Sequence, residues 1–185
     1  MVSQLKVNEI IKQSGSSITI GEAGDSITFP STGTASGIFT NAPAFEAYMS
    51  ADLSVSGSTD TVITFNTENF DTDSAYDTSS YKFTPQVAGK YFFYTIANVD
   101  DGNTGAVCWL GFGKNGTFGN TGIGGSSRRT WSTQGRSYIA ASAHVTLNGS
   151  SDYAQAYVRH ENASTVYASH SKVWSIFGGY RLIGA

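Results

Sequence analysis

A few places in the chain combine residue types and spacings that could do chemistry. Arg128-Arg129-Thr130-Trp131 sets two guanidinium groups beside an indole. Arg matches carboxylates bidentately and an indole offers a flat face, so the stretch could stack on a sugar ring and bind an acidic glycan. The alternative is structural, with Trp131 filling a gap between sheets and the arginines pairing with acids of a neighbour. Asp71, Asp73 and Asp77, in Phe-Asp-Thr-Asp-Ser-Ala-Tyr-Asp, are spaced carboxylates of the kind that ligate calcium. The EF-hand pattern fails there, since its Gly and terminal Glu are absent, and solvated loop acids are the other reading.

The remaining motifs argue against catalysis. His144, His160 and His170 lack zinc spacing, and His160-Glu161 has no second His four residues on. Gly111-Phe-Gly-Lys-Asn-Gly fits G-x-G-x-x-G only formally. Dinucleotide binding needs a helix after that turn, and here more glycines follow, up to Gly125. There is no G-x-S-x-G elbow. A carboxylate pair for glycoside hydrolysis is a matter of three-dimensional separation, but five Glu and nine Asp, mostly between strands, make a poor supply. The single cysteine, Cys108, lies in the apolar run Ala-Val-Cys-Trp-Leu and reads as a buried, inert thiol. The expectation is a protein without catalysis, cofactor or resident metal.

The elements that must carry these residues follow from composition and periodicity. Charged residues make up 14% and aromatics 13%, with 21 Gly, the profile of a neutral all-β protein. A net charge of −3 gives no strong field to recruit nucleic acid or an anionic membrane, and no apolar run is long enough to span one. Met1-Val-Ser-Gln-Leu-Lys lacks the apolar stretch of a signal peptide, so the Asn-x-Ser/Thr triplets at Asn115, Asn148 and Asn162 read as turns. Acids dominate residues 1–100, whereas all five arginines lie between Arg128 and Arg181. Neutralisation within one sandwich or pairing between subunits would account for that.

Residues 1–40 read as an arm, and residues 41–185 as a head. The arm holds Leu5, Val7, Ile10, Ile11, Ile18, Ile20, Ile27 and Phe29, with Ser-Ile-Thr-Ile and Ser-Ile-Thr-Phe alternating around Gly-Glu-Ala-Gly-Asp like a hairpin. Burying each of these side chains is worth roughly 1.5–3 kcal/mol, yet the segment is too small for its own core, so it must pack on copies of itself or on another protein. From Pro43 about eight strands follow. Lys90–Val99 is strongly apolar, with Tyr91 and Phe93 on one face and Phe92 and Tyr94 on the other. One face can fill a core and the other a subunit interface. Ser137–Leu147 and Tyr153–Arg159 face each other across Asn148-Gly-Ser-Ser-Asp, a good hairpin connection.

Phe65, Phe70-Asp71, Tyr76-Asp77, Phe83, Gly89, Tyr91 and Phe93, with Ile176-Phe177-Gly-Gly-Tyr180-Arg-Leu at the end, resemble the head of the complement q subcomponent in the complement/tumour-necrosis-factor-like superfamily. The resemblance covers roughly residues 43–184. It implies an all-β jelly-roll sandwich of about ten strands that assembles as a homotrimer, with Tyr91, Phe92, Phe93, Tyr94, Phe177 and Tyr180 in core or interface. The collagen stalk of complement relatives is absent. In its place, Leu5-Lys-Val-Asn-Glu-Ile and the Ser-Ile-Thr repeats resemble the starts of fibre and head-fibre proteins of marine bacteriophages. The expectation is therefore a virion structural protein, a trimeric head- or tail-fibre or capsid decoration protein joined to other virion proteins by its arm. The alternative is a receptor-binding module that grips a host surface glycan or protein.

Overall fold

The computed structural model describes residues 43–100, 106–118, 126–130, 135–167 and 175–183. The arm residues from Leu5 to Phe29, together with Trp131 and His170, lie outside the described residues.

Strands form wherever apolar residues recur at every second position. The plainest case is β10 (Arg136–Leu147). Ile139, Ala141, Ala143, Val145 and Leu147 are buried, while the residues between them face out. It lies along β7 (Gly89–Asp100) over the whole length of both, in antiparallel register from Gly89↔Leu147 to Asp100↔Arg136. The other edge of β7 is shared. β13 (Ile176–Arg181) takes Tyr91 to Ile96, and β12 (Ser164–Tyr167) continues with Asn98 and Val99. β1 (Ala44–Tyr48) and then β4 (Thr67–Asp71) extend the sheet beyond β13, and β2 (Leu53–Val55) pairs with β12. This sheet has seven strands.

The second sheet has six: β5 (Tyr76–Asp77), β6 (Lys82–Phe83), β11 (Ala154–His160), β8 (Val107–Lys114) and β9 (Ser127–Thr130) in that order, with β3 (Thr61–Val62) also on β11. Every pairing is antiparallel. The two sheets make an all-β sandwich, with no helix among the described residues. Among the described residues thirteen strands, some as long as twelve residues, replace the roughly eight runs visible in the sequence, because two-residue pieces such as β3, β5 and β6 leave no periodic trace.

The core between the sheets is aromatic. Phe45, Phe65, Phe83, Tyr91, Phe93, Phe112 and Phe177 are fully buried. Phe45 stacks on Tyr76 and Phe83 at centroid distances of 4.7 and 4.6 Å and meets Phe177 edge-on at 4.9 Å. Such pairs add about 0.5–1.5 kcal/mol each beyond area burial. The buried Tyr76 hydroxyl donates to the Phe65 carbonyl at 2.8 Å, and Thr95 Oγ1 donates to the Ile176 carbonyl at 2.9 Å, so both polar groups are satisfied in the core.

One sequence expectation is corrected. β10 and β11 are not a hairpin pair: β10 bonds to β7 in one sheet and β11 to β8 in the other. The turn at Asn148–Asp152 is a corner between sheets. Asn148 Oδ1 accepts the amides of Ser150, Ser151 and Asp152 at 2.9–3.0 Å, which turns the chain without ladder bonds. Turn chemistry and strand period look the same in either topology, so only the pairing partners distinguish them.

Candidate functional site

Two solvent-facing sheet surfaces carry the residues that could act. The first is the outer face of the seven-stranded sheet. On β7, Tyr91 and Phe93 enter the core, and Phe92, Tyr94 and Ile96 point the other way, partly exposed. Cross-strand register assembles them into rows. His144, Phe92 and Tyr180 lie side by side across β10, β7 and β13, with Phe92 5.3 Å from the His144 ring and 5.5 Å from the Tyr180 ring. In the next row but one along β7, Ala140, Ile96, Ile176 and Tyr48 align. Between these rows Tyr94 lies over Gly178, where a Cβ would come within 2.5 Å of Tyr94 Cζ. Glycine at 178 therefore lets the phenol cross β13 and donate to Glu46 Oε2 on β1 at 2.7 Å.

The other Glu46 oxygen accepts from Asn69 Nδ2 at 2.8 Å. Asn69 reaches it because the β1–β4 register shifts between Glu46 and Ala47, leaving Asn69 as the extra residue of a bulge. Burial, followed by the hydrogen bond to Glu46, pushes the Tyr94 hydroxyl above the ordinary tyrosine range. Small Ala140 and Ser142 beside Tyr94 and Ile96 leave a shallow depression of about 280 Å³. Tyr138, half exposed, stands on the same face of β10.

The second surface is the outer face of the six-stranded sheet. Cys108, Leu110 and Phe112 of β8 enter the core, so Trp109 faces out. Arg128 of β9 and Arg159 of β11 are its direct cross-strand neighbours. Arg129, by contrast, is in register with the core-facing Cys108, and its Nη1 donates to the Tyr138 carbonyl at 3.3 Å. Strand alternation thus sends the adjacent arginines to opposite faces, and the indole that Arg128 meets is Trp109.

The structure also places the remaining candidates. Phe177 lies in the core with Tyr91 and Phe93, and Tyr180 on the opposite face. Asp71 caps a turn, its oxygens accepting the amides of Asp73 and Tyr76. Asp77 accepts from the Ser79 amide and the Ser79 and Ser80 hydroxyls, which hold its carboxyl well below the usual range. These acids organise loops separately, and no three metal-ligating side chains converge among the described residues. A hollow of about 430 Å³ near Asp100 is lined by Ser54, Ser56, Ser164 and Thr165. There the Ser164 hydroxyl donates to the Asp100 carbonyl and Tyr167 to its carboxylate, so the polar groups bond one another.

Sequence reasoning missed Glu46, Tyr138, His144 and Trp109. For Trp109 a signal existed: in Val107–Lys114 the core positions are Cys, Leu and Phe, while the opposite positions are Trp109, Gly111 and Gly113. Comparisons bear on the whole. The C1q domain matches residues 44–182. No curated protein matches in sequence. Among solved structures, murine APRIL at pH 5.0 superposes with a TM-score of 0.56 at 10% identity, covering 75% of this chain and 98% of its own. The globular domain of zebrafish complement 1qA gives 0.46 at 15% identity, covering 76% and 96%, and Eiger TNF from S. frugiperda gives 0.47 at 14%, covering 77% and 93%.

Proposed function

This chain belongs to the C1q domain family, and on that premise we propose that it is a non-catalytic homotrimeric head displayed on the surface of a bacteriophage particle, as a fibre or decoration protein anchored by its N-terminal arm. The observation that carries the trimer is the outer face of the seven-stranded sheet. It presents Phe92, Tyr94, Ile96, Tyr138, Ile176 and Tyr180 together, with Glu46 bonded on both oxygens and the charges of Lys90, Asp100 and Arg136 kept to the strand ends. Aromatic surfaces depleted of free charge are what the centres of subunit interfaces are made of. Association through this face would leave the other sheet in solvent. The virion location rests on the likeness of the arm residues to the starts of phage structural proteins, and on an apolar content there that needs a covering partner.

Light scattering should give about three times the 19.6 kDa chain mass. Phe92→Asp should yield a folded monomer, because the charge is tolerated at a partly exposed site but costly once desolvated by a neighbour. A wild-type monomer at micromolar concentration, or a Phe92→Asp trimer, would defeat the interface. Absence of the chain from purified particles would defeat the virion role separately.

A further inference from the structure

Trp109, partly exposed, stands in the middle of a row that runs Arg159, Trp109, Arg128 across β11, β8 and β9. The Arg128 guanidinium carbon stands 5.8 Å from the indole centroid. On the other side, Arg159 Nη1 donates to Asp60 Oδ1 at 3.2 Å in an exposed pair. That bond occupies one of five guanidinium donors and sets the direction of the rest. Glu161, in the neighbouring row, has its Oε2 on the Val107 amide at 2.9 Å. Asp60 and Glu161 thus have donors of their own, and Arg128 has the indole ring as its described contact.

We propose that this row is a binding site for an acidic saccharide, with one sugar ring laid on Trp109 and its carboxylate taken by Arg128. A sugar ring has an apolar C–H face that suits a flat indole and a rim of hydroxyls that suits flanking donors. A carboxylate on that rim meets the fork of Arg128 in the bidentate geometry guanidinium groups favour. Nucleic acid is a poor fit, since two arginines offset by Asp60 and Glu161 give little of the charge that phosphate backbones demand. The site sits on the sheet opposite the proposed association face, so it requires neither the trimer nor the virion location.

The test is calorimetric titration of the full chain with a galacturonate trisaccharide and with sialyllactose, against a neutral galactose trisaccharide. At least one acidic probe should bind with a Kd of about 1 mM or tighter, and the neutral sugar roughly tenfold more weakly or not at all. Arg128→Glu, at an exposed position, should weaken the acidic probe at least about tenfold with an unchanged melting temperature. Trp109→Phe should weaken every sugar that the wild-type chain binds. Failure of both acidic probes to bind, equal binding of acidic and neutral sugars, or full affinity in Arg128→Glu would each overturn the site, and none of these bears on the oligomeric state.

Discussion

The Cys108 thiol is fully buried between the sheets, and burial alone pushes it from 9.0 up to about 12. Burial also raises the hydroxyls of Tyr76, Tyr91, Tyr94 and Tyr157. In each case the folded chain holds the proton more tightly than the unfolded chain. The stabilisation is therefore complete below the unfolded values, near pH 9 for the thiol and 10 for the phenols, and is lost as pH rises through the folded ones. Urea midpoints should be level up to about pH 8 and fall beyond pH 9, with Cys108 contributing on the order of 4 kcal/mol by pH 12. Cys108→Ala should delay the fall by about a pH unit. Parallel curves for the two proteins between pH 8 and 11 would show that the thiol has no part in it. The burial of Cys108 was legible from its apolar run. The role of Trp109, one residue on, was not, because its partners Arg128 and Arg159 are far off in sequence and only register brings them together. The same limit separates Arg128 from Arg129, since adjacency in a strand means opposite faces, while Trp131 lies outside the described residues.

At the level of elements, the corner between β10 and β11 shows what a turn must supply when no ladder closes it. Gly149 has φ +73°, and a Cβ there would lie 2.2 Å from the Ala88 amide nitrogen, inside the β6–β7 connection. Gly135 also has positive φ, at +146°, but nothing lies within 4 Å of its Cβ position. Gly135→Ala should therefore cost only backbone strain, about 1–2 kcal/mol. Gly149→Ala adds a collision with backbone and should cost at least about 2 kcal/mol more. Thermal unfolding of the two variants decides this, and equal losses would mean the corner can shift away from Ala88. The long strands β7 and β10 were readable because each keeps a two-residue period over a core that demands it. Partners were not, since alternation says which face is buried and not which edge is bonded.

For the whole molecule, the aromatic spacing that resembles the complement head anticipated the sandwich, because most of those aromatics, Phe65, Tyr76, Phe83, Tyr91, Phe93 and Phe177, are the core itself, whereas Phe70 is exposed; Phe83, Tyr91 and Phe93 pack within 6.2 Å of one another. The arm is a separate matter, since its apolar residues lie outside the described part of the chain. If it attaches the head to the particle, a chain of residues 41–185 should fold and associate as the full chain does yet fail to join particles. Ile18→Asp with Ile27→Asp should reproduce that loss, by burying unpaired charge in whatever covers the arm. Pull-down with purified particles would measure it, and normal incorporation of either variant would place attachment elsewhere.

The sharing of β7 has a consequence for how the chain comes into being. Its two edges wait for β10, β12 and β13, and β1 is locked in by β13, more than a hundred residues later. Such non-local closure makes for folding in milliseconds to seconds. A ribosome adding about 5–20 residues per second leaves β7, with its Phe and Tyr side chains, without sheet partners for seconds. A chain stalled on the ribosome before Ile176 should stay protease-sensitive, and one carried past Arg181 and clear of the exit tunnel should become resistant. The nascent head thus cannot close until its last strand arrives, which makes its aromatic strands clients for whatever shields unfinished chains.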